Sequence, residues 1–304
     1  MNIDSLAMRA PAARYFSRLR LCDILVLQGT PLFGAAFGAA FAMSHLRSSN
    51  VVSLVALVAG NLFLMTHVFM VNDWAGVRDD LADPNKASRV FTARGVATRE
   101  LAVLAVGLLV ASLLVFSWLG TTAVAIAVAI AALSAFYSLR PFDWKGKAGL
   151  NTATHLAGGI LHFLLGYCAA HAIDRRSIAI ASYFALIFAA GHLMQEVRDS
   201  DADAVNGIGT NAVTFGPRRT FIASLVLFAS AHALFLLLAL QKMIPRPLAA
   251  TVILFPFQLQ WSIETLRGRL TYQSISRLQG RYRMLYAFIG VCILVALMGA
   301  RVHR

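Results

Sequence analysis

The chain has 304 residues, of which 59% are hydrophobic and only 13% are charged. Soluble domains carry about 25% charged residues, so this composition excludes an ordinary soluble protein and indicates a chain that is solvated largely by lipid. The formal net charge of +13 does not indicate nucleic-acid binding, because the basic residues fall in short segments between apolar runs, where they are typical signals of membrane topology. We therefore predict an integral membrane protein whose partners include the lipid bilayer and no nucleic acid.

A helix that crosses the hydrocarbon core of a bilayer needs about 20 mostly apolar residues. The candidate spans, in chain order, are 22–45, 51–71, 101–119, 121–139, 151–172, 177–195, 220–241, 247–262 and 284–300. The eighth is the weakest of the nine because Pro256 interrupts it. The runs are continuously apolar, which excludes a membrane barrel of alternating strands. The sequence predicts an all-α polytopic protein of nine transmembrane helices, with a tail at 1–20 and a single domain at 21–304.

Lysine and arginine predict the orientation of these spans. If the N-terminus is cytoplasmic, 20 of the 27 basic residues lie in cytoplasmic segments, as the positive-inside rule expects. The same segments include the long connections 72–100, 196–219 and 263–283, whereas the opposite side has tight turns such as "LGTT". Long loops usually carry function, so we expect an active site with a loop cap on the cytoplasmic side. The compact chain favours a bacterial inner membrane.

Two of these connections hold most of the acidic residues. Of the 14 carboxylates in the chain, four lie in 73–83 and four lie in 196–203. Within the second window Glu196, Asp199 and Asp203 have the spacing of one helix face. Clustered carboxylates repel one another unless cations lie between them, and Mg²⁺ takes oxygen ligands that it usually shares with substrate phosphates.

Basic residues close to both windows fit an anionic ligand. They are Arg78, Lys86 and Arg89 around the first window and Arg140, Lys145 and Lys147 in a third cytoplasmic loop. Metal ions together with lysine and arginine commonly bind a diphosphate. The alternative is that these residues are solvated loop charges and topology anchors.

The chain resembles the UbiA superfamily of intramembrane prenyltransferases over roughly residues 18–295. The first window resembles NDxxDxxxD at Asn72, Asp73 and Asp80, and the second resembles DxxDxxxD, with Glu196 in place of its first aspartate. The segment "GIGTNAVTFG" resembles GIxTLPVxxG, and "YSLRPFDWKGK" resembles YSxPPxRLK. Arg20 matches an arginine that commonly begins the first helix. The resemblance implies a nine-helix bundle.

The resemblance also implies the chemistry. Mg²⁺ would be the cofactor, and an isoprenoid diphosphate would donate its prenyl group to a small, aromatic acceptor such as a hydroxybenzoate or quinone precursor. Metal and diphosphate would be held by Asn72, Asp73, Asp80, Glu196, Asp199 and Asp203. Phosphate oxygens would be contacted by Arg20, Arg89, Arg140 and Lys145. The ring of Tyr137 would stabilise the allylic cation, or it is an interfacial anchor.

The first motif departs from the family pattern at one position, because its middle aspartate falls on Gly76. Asp79 lies about 60° from position 76 around a helix axis and is a candidate replacement ligand. Among the histidines, His192 precedes Glu196 by one helical turn and is a candidate on the acceptor side. His155 and His162 share a helix face, which fits pocket lining or hydrogen bonding between helices.

Three other functions remain open from the residues. The acceptor could be a lipid glycerol or a phosphorylated sugar, within the same fold. The acidic clusters could bind cations in a transporter, although transport sites tend to lie near the bilayer midplane and these acids lie at one surface. The chain could also be a catalytically weakened assembly partner.

Overall fold

The structure, a computed structural model, describes residues 21–42, 48–82 and 97–302. Within these residues the chain forms α-helices and two 3-10 helices, with no strand. The α-helices are α1 (Leu21–Leu27), α2 (Gly29–Phe41), α3 (Ser48–Ala82), α4 (Thr98–Ser117), α5 (Thr121–Ser138), α6 (Leu150–Tyr167), α7 (Arg175–Val205), α8 (Asn211–Phe215), α9 (Pro217–Leu240), α10 (Phe255–Arg267) and α11 (Tyr272–Val302). The 3-10 helices are Trp144–Gly146 and Arg246–Leu254. The all-α prediction is confirmed.

The chain divides into two compact units. The first unit contains α1, most of α3, and helices α4 and α5. The second unit contains most of α2 and everything from Trp144 onwards, including helices α6 to α11. The first acidic motif therefore belongs to the first unit, and the second acidic motif belongs to the second.

Helices α3 and α4 of the first unit are joined by polar side chains that bond to backbone carbonyls. The Ser112 hydroxyl donates to the Gly60 carbonyl at 2.9 Å, and Nδ1 of His67 lies 2.8 Å from the Ala105 carbonyl. The Phe116 ring fills the space beside Gly60, where a Cβ would lie 2.7 Å from the ring. Small residues and hydrogen bonds between helices are the usual means of association in lipid.

Helix α7 is central to the second unit, because both α6 and α9 pack along it. Its buried face is rich in alanine, including Ala181, Ala185 and Ala189. Gly159 of α6 lies so close that a Cβ there would be 2.7 Å from Cα of Ala185. The rigid packing of α7 fixes the position of the acidic motif at its C-terminal end.

Seven candidate membrane spans are present in the described residues: Ile24–Phe41, Val51–Val77, Thr98–Ser117, Thr121–Ser138, Arg175–Val205, Pro217–Leu240 and Tyr272–Ala300. They make the chain an integral membrane protein. The predicted spans 151–172 and 247–262 are not among them, so the count of nine is not confirmed. The first of these segments forms α6, whose mean hydropathy is lowered by the polar residues Asn151, Thr154 and His162. These three residues are buried inside the protein.

The second of these segments is divided into a 3-10 helix, Arg246–Leu254, and the short helix α10. Pro256 does not interrupt a helix as predicted. It lies in the first turn of α10, where a residue without an N–H donor is well tolerated.

The segments predicted to be long cytoplasmic connections are partly helical in the residues that the structure describes. Helix α3 continues to Ala82, α7 continues to Val205, and only residues 268–271 separate α10 from α11. A drop in hydropathy marks where a helix leaves the hydrocarbon core of the membrane. The backbone hydrogen bonds of the helix can continue beyond that point through polar residues. The predicted cap is not confirmed, since residues 83–96 lie outside the described part of the chain.

Candidate active site

The first acidic motif lies on the C-terminal turns of α3. Asn72 and Asp73 are half-buried there, and Gly76 is buried. Asp79 and Asp80 belong to the last turns of the same helix, but their side chains lie outside the described residues. Arg89 and Arg20, the two other predicted phosphate ligands at this end of the chain, also lie outside the described residues.

A cavity of about 360 Å³ opens beside this motif in the first unit. It is lined by Trp74, Ala75, Val77, Thr98 and Arg140. The exposed Arg140 therefore shares a cavity with the helix that carries Asn72 and Asp73. Tyr137 lies in the last turn of α5, half-buried, and its role at an allylic cation stays a prediction.

The second acidic motif occupies consecutive turns of α7. Glu196 is only 3% exposed and Asp203 only 7%. The Asp199 carboxylate is 15% exposed and is bound by its sequence neighbour Arg198, whose Nε and Nη2 donate to the two carboxylate oxygens at 2.7 and 2.9 Å. Both oxygens of this predicted metal ligand are thus engaged by a guanidinium.

Arg198 is itself held by helix α11. Its Nη1 donates to Oε1 of Gln279 at 3.3 Å, and its guanidinium lies 5.3 Å from the ring centre of Tyr272. Arg198 was not among the predicted site residues. The carboxylate of Asp199 faces the Arg198 guanidinium, whereas the carboxylate of Glu196 is bound by different residues.

Glu196 is bound by Asn211, the first residue of α8. Nδ2 of Asn211 donates to Oε1 of Glu196 at 3.0 Å, and Nε2 of His192 lies 3.2 Å from the same oxygen. The other oxygen, Oε2, is buried and makes no hydrogen bond. The same amide of Asn211 also donates to the Thr152 hydroxyl at 3.1 Å. Asn211 therefore connects α6, α7 and α8.

Lys145 belongs to the 3-10 helix Trp144–Gly146 and is half-buried. Its carbonyl accepts a hydrogen bond from Nδ2 of the buried Asn151 at 3.0 Å. On the other side Gly209 packs against this turn, since a Cβ there would be 2.8 Å from the Gly146 carbonyl. Asn211 accepts a hydrogen bond from the Gly149 amide at 2.8 Å. The "WKGK" and "GIGTN" segments are thus fixed against each other in the second unit.

A pair of imidazole rings lies one helical turn before Glu196. His155 of α6 and His192 of α7 are stacked with ring centres 3.4 Å apart and an interplanar angle of 11°, and Phe188 lies 5.4 Å from His155. Nδ1 of His155 lies 2.9 Å from the Asn151 carbonyl. His155 was expected to line a pocket or to bond between helices, and this stack between α6 and α7 is an interhelical contact.

The chemistry of these groups fits a hard divalent cation. The acidic residues offer oxygen ligands only, and Oε2 of Glu196 is a buried acceptor without a hydrogen bond. Within the described residues, no three His, Cys, Asp or Glu side chains are grouped closely enough to form a protein-only metal cage. Mg²⁺ is usually held by one or two carboxylates together with substrate phosphates rather than by such a cage.

Two residues that bind the carboxylates of the second motif were not identified from the sequence. Arg198 lies inside the motif but has a basic side chain, and only the fold shows that it binds Asp199. Asn211 occupies the leucine position of the GIxTLPVxxG pattern. A polar residue at that apolar position was the signal that could have identified it.

Comparison with known structures supports the fold. A UbiA homolog from Archaeoglobus fulgidus, solved with GPP and Mg²⁺, is 16% identical with a TM-score of 0.71, covering 95% of this chain and 99% of that chain. A digeranylgeranylglyceryl phosphate synthase is 15% identical with a TM-score of 0.69, covering 94% and 98%. An apo UbiA homolog from Aeropyrum pernix K1 is 17% identical with a TM-score of 0.63, covering 90% and 96%. At these identities the likeness shows the fold alone.

The sequence itself carries the family assignment. No curated protein matches the chain significantly. The sequence pattern of the UbiA prenyltransferase family, however, matches residues 32–289, which include both acidic motifs and the Lys145 turn. The chain therefore belongs to the UbiA prenyltransferase family and is an intramembrane prenyltransferase.

Proposed function

We propose that this enzyme transfers a prenyl group from an isoprenoid diphosphate to a small aromatic acceptor in a Mg²⁺-dependent reaction. The observation that carries the proposal is the assembly around Glu196, where a buried acidic motif and the Lys145 turn are fixed together through Asn211. The Archaeoglobus fulgidus homolog was solved with GPP and Mg²⁺, the donor class and the ion that we propose here.

The acidic motifs would hold the metal, through Asn72, Asp73, Asp80, Glu196, Asp199 and Asp203, with Asp79 as a further ligand in place of the carboxylate missing at Gly76. When bound, Mg²⁺ stabilises the negative charge that develops on the leaving diphosphate. Lys145, Arg140, Arg89 and Arg20 would contact the phosphate oxygens. Arg140 is exposed in the cavity beside the first motif, where an anion can reach it.

The reaction breaks the bond between the allylic carbon and the diphosphate oxygen, and inorganic diphosphate leaves with both bonding electrons. The allylic cation then forms a bond to an electron-rich carbon of the acceptor, which loses a proton. Buried apolar helix faces keep water from this cation. The ring of Tyr137 would stabilise the cation through its face.

An aromatic acceptor fits the ring stack of His155 and His192, which extends from Glu196 along α7. Phe188 adds a partly exposed ring to the same group. Aromatic rings stack on one another with a gain of about 0.5–1.5 kcal/mol beyond the area that they bury. We therefore place the acceptor ring against this stack and the prenyl tail among the apolar helices.

We propose a bacterial inner membrane as the location, with a cytoplasmic N-terminus. The cytoplasmic side would then hold both acidic motifs, close to water-soluble diphosphate and Mg²⁺. The tail 1–20 and the single domain 21–304 are part of the same proposal.

The test is prenyl transfer by purified protein in detergent, with radiolabelled geranyl, farnesyl and longer diphosphates. Each donor is offered with hydroxybenzoates, quinone precursors, a glycerol-phosphate lipid and a phosphorylated sugar, with and without Mg²⁺. We expect label transfer to an aromatic acceptor, lost in the Asp199→Ala, Asp203→Ala double variant. Asp201→Ala is the matched control, because Asp201 is an exposed carboxylate on the same helix, and it should keep the activity.

Label transfer to the glycerol lipid or the sugar alone would refute the aromatic acceptor. If the double variant kept the wild-type rate and Mg²⁺ dependence, the role of the second motif would be wrong. If no donor yielded product or diphosphate in any combination, the proposed reaction itself would be refuted.

A further inference from the structure

Every hydrogen-bonding group of the Asn211 carboxamide has a partner, and these partners define its orientation. The Gly149 amide can only donate, so the Asn211 atom 2.8 Å away from it is the oxygen. The nitrogen of the amide then faces Thr152 at 3.1 Å and Glu196 at 3.0 Å, and it donates one hydrogen to each. A side chain that is only 6% exposed thus satisfies its acceptor and both donors across three elements.

We propose that Asn211 is a positioning residue that aims the carboxylate of Glu196 at a divalent cation and keeps the Lys145 turn in register with it. This inference rests on the metal role of Glu196 in the proposed function. It concerns a residue that does not contact substrate and acts through Glu196 and the turn.

The geometry at Glu196 gives the reason. Asn211 donates to Oε1 at 3.0 Å, which fixes the rotation of the carboxylate, and Nε2 of His192 lies 3.2 Å from the same oxygen. Oε2 is left buried and without a hydrogen bond. The backbone amides of Asn211 and Ala212 also lie near this carboxylate, and a cation at Oε2 would give the buried oxygen the partner that it lacks. Partners that orient a metal ligand in this way typically contribute 10–100-fold to metal affinity.

The second role of Asn211 follows from its acceptor. By binding the Gly149 amide it holds the start of α6, where Asn151 binds the Lys145 carbonyl. The carboxylate of Glu196 and the turn that carries Lys145 are therefore connected through one side chain. Loss of this side chain should disturb a cation ligand and a phosphate ligand together.

The experiment titrates detergent-solubilised protein with Mn²⁺ alone, and free Mn²⁺ is followed by electron paramagnetic resonance. Asn211→Leu replaces the amide by an apolar side chain of similar size. We expect it to weaken Mn²⁺ binding at least tenfold. Asn61→Leu is the matched control, because Asn61 is a fully buried amide that bonds to Gln28 at 3.0 Å in the first unit. The control should bind Mn²⁺ as the wild type does.

A double-variant cycle separates positioning from general damage. In the Glu196→Gln background the Asn211→Leu change should cost less than twofold, since the carboxylate that it positions is gone. Glu196→Asp shortens the side chain and draws the carboxylate away from Asn211. It should weaken Mn²⁺ binding to a similar extent, and it keeps the test valid if Asn211→Leu does not fold.

Three results would overturn the proposal. They are wild-type Mn²⁺ affinity in folded Asn211→Leu, a full additional loss in the Glu196→Gln background, and a wild-type protein without saturable Mn²⁺ binding. The prenyl-transfer assay is separate from this titration. Transfer by the wild type, together with unchanged Mn²⁺ binding in Asn211→Leu, would refute only the role of Asn211. If the wild type transferred no prenyl group but the variants bound Mn²⁺ as predicted, only the proposed reaction would be refuted.

Discussion

The pairing of Arg198 with Asp199 predicts that Arg198→Gln will tighten the binding of a divalent cation. Side chains that are adjacent in a helix point about 100° apart and do not normally face each other. Here helix α11 holds Arg198 through Gln279, and Asp199 turns towards the guanidinium. Arg198 therefore occupies one acceptor site on each oxygen, and its positive charge opposes a second cation at Asp199. Removal of the guanidinium removes this competition.

The magnitude follows from the geometry of the pair. Two hydrogen bonds of 2.7 and 2.9 Å join the side chains, which are 22% and 15% exposed. A hydrogen bond to a charged group contributes about 1.5–3 kcal/mol, and solvent at a partly exposed pair lowers that contribution. We take the net cost to a cation of displacing one of these hydrogen bonds as about 1 kcal/mol. Since 1.4 kcal/mol corresponds to a tenfold change in affinity, Arg198→Gln should bind the divalent cation roughly fivefold more tightly.

The assay is the Mn²⁺ titration of the free protein, without prenyl diphosphate, so that any contact of Arg198 with phosphate does not contribute. The control is Arg281→Gln, which removes a cation that lies 3.7 Å from Glu264 in a pair more than half exposed. Its effect should stay below about twofold, because exposed pairs contribute little. Unchanged or weaker Mn²⁺ binding in folded Arg198→Gln would refute the idea that Arg198 competes for Asp199.

Two further predictions concern packing and the acceptor. A Cβ on Gly166 would overlap the Pro31 carbonyl, whereas Gly158 of the same helix has open space. Gly166→Ala should therefore lower the free energy of unfolding by about 1–3 kcal/mol and Gly158→Ala should not lower it, as thermal unfolding in detergent would show. Removal of the ring stack by His155→Ala should raise KM for the aromatic acceptor about three- to tenfold with an unchanged KM for the donor. An unchanged acceptor KM would instead leave His155 as a packing partner of His192.

Sequence reasoning was most successful where a local pattern carries the information. Continuous apolar runs predicted the helical segments, and the spacing of Glu196, Asp199 and Asp203 predicted one helix face, which α7 provides. It failed at the ends of helices, because no hydropathy change marks where a polar helix stops. It also could not give the orientation of side chains. The three carboxylates share a helix, yet Asp199 faces Arg198 and Glu196 faces Asn211.

Two departures from the family pattern are related by the structure. Glu196 stands at an aspartate position and Asn211 at a leucine position. They are 15 residues apart in sequence and 3.0 Å apart in space. Glutamate carries its carboxylate one methylene further from the axis of α7, towards the start of α8. A leucine there would bury that charge against an apolar side chain, at a considerable desolvation cost. The amide of Asn211 supplies a hydrogen-bond donor to the longer acid, so the departure at Asn211 accommodates the departure at Glu196.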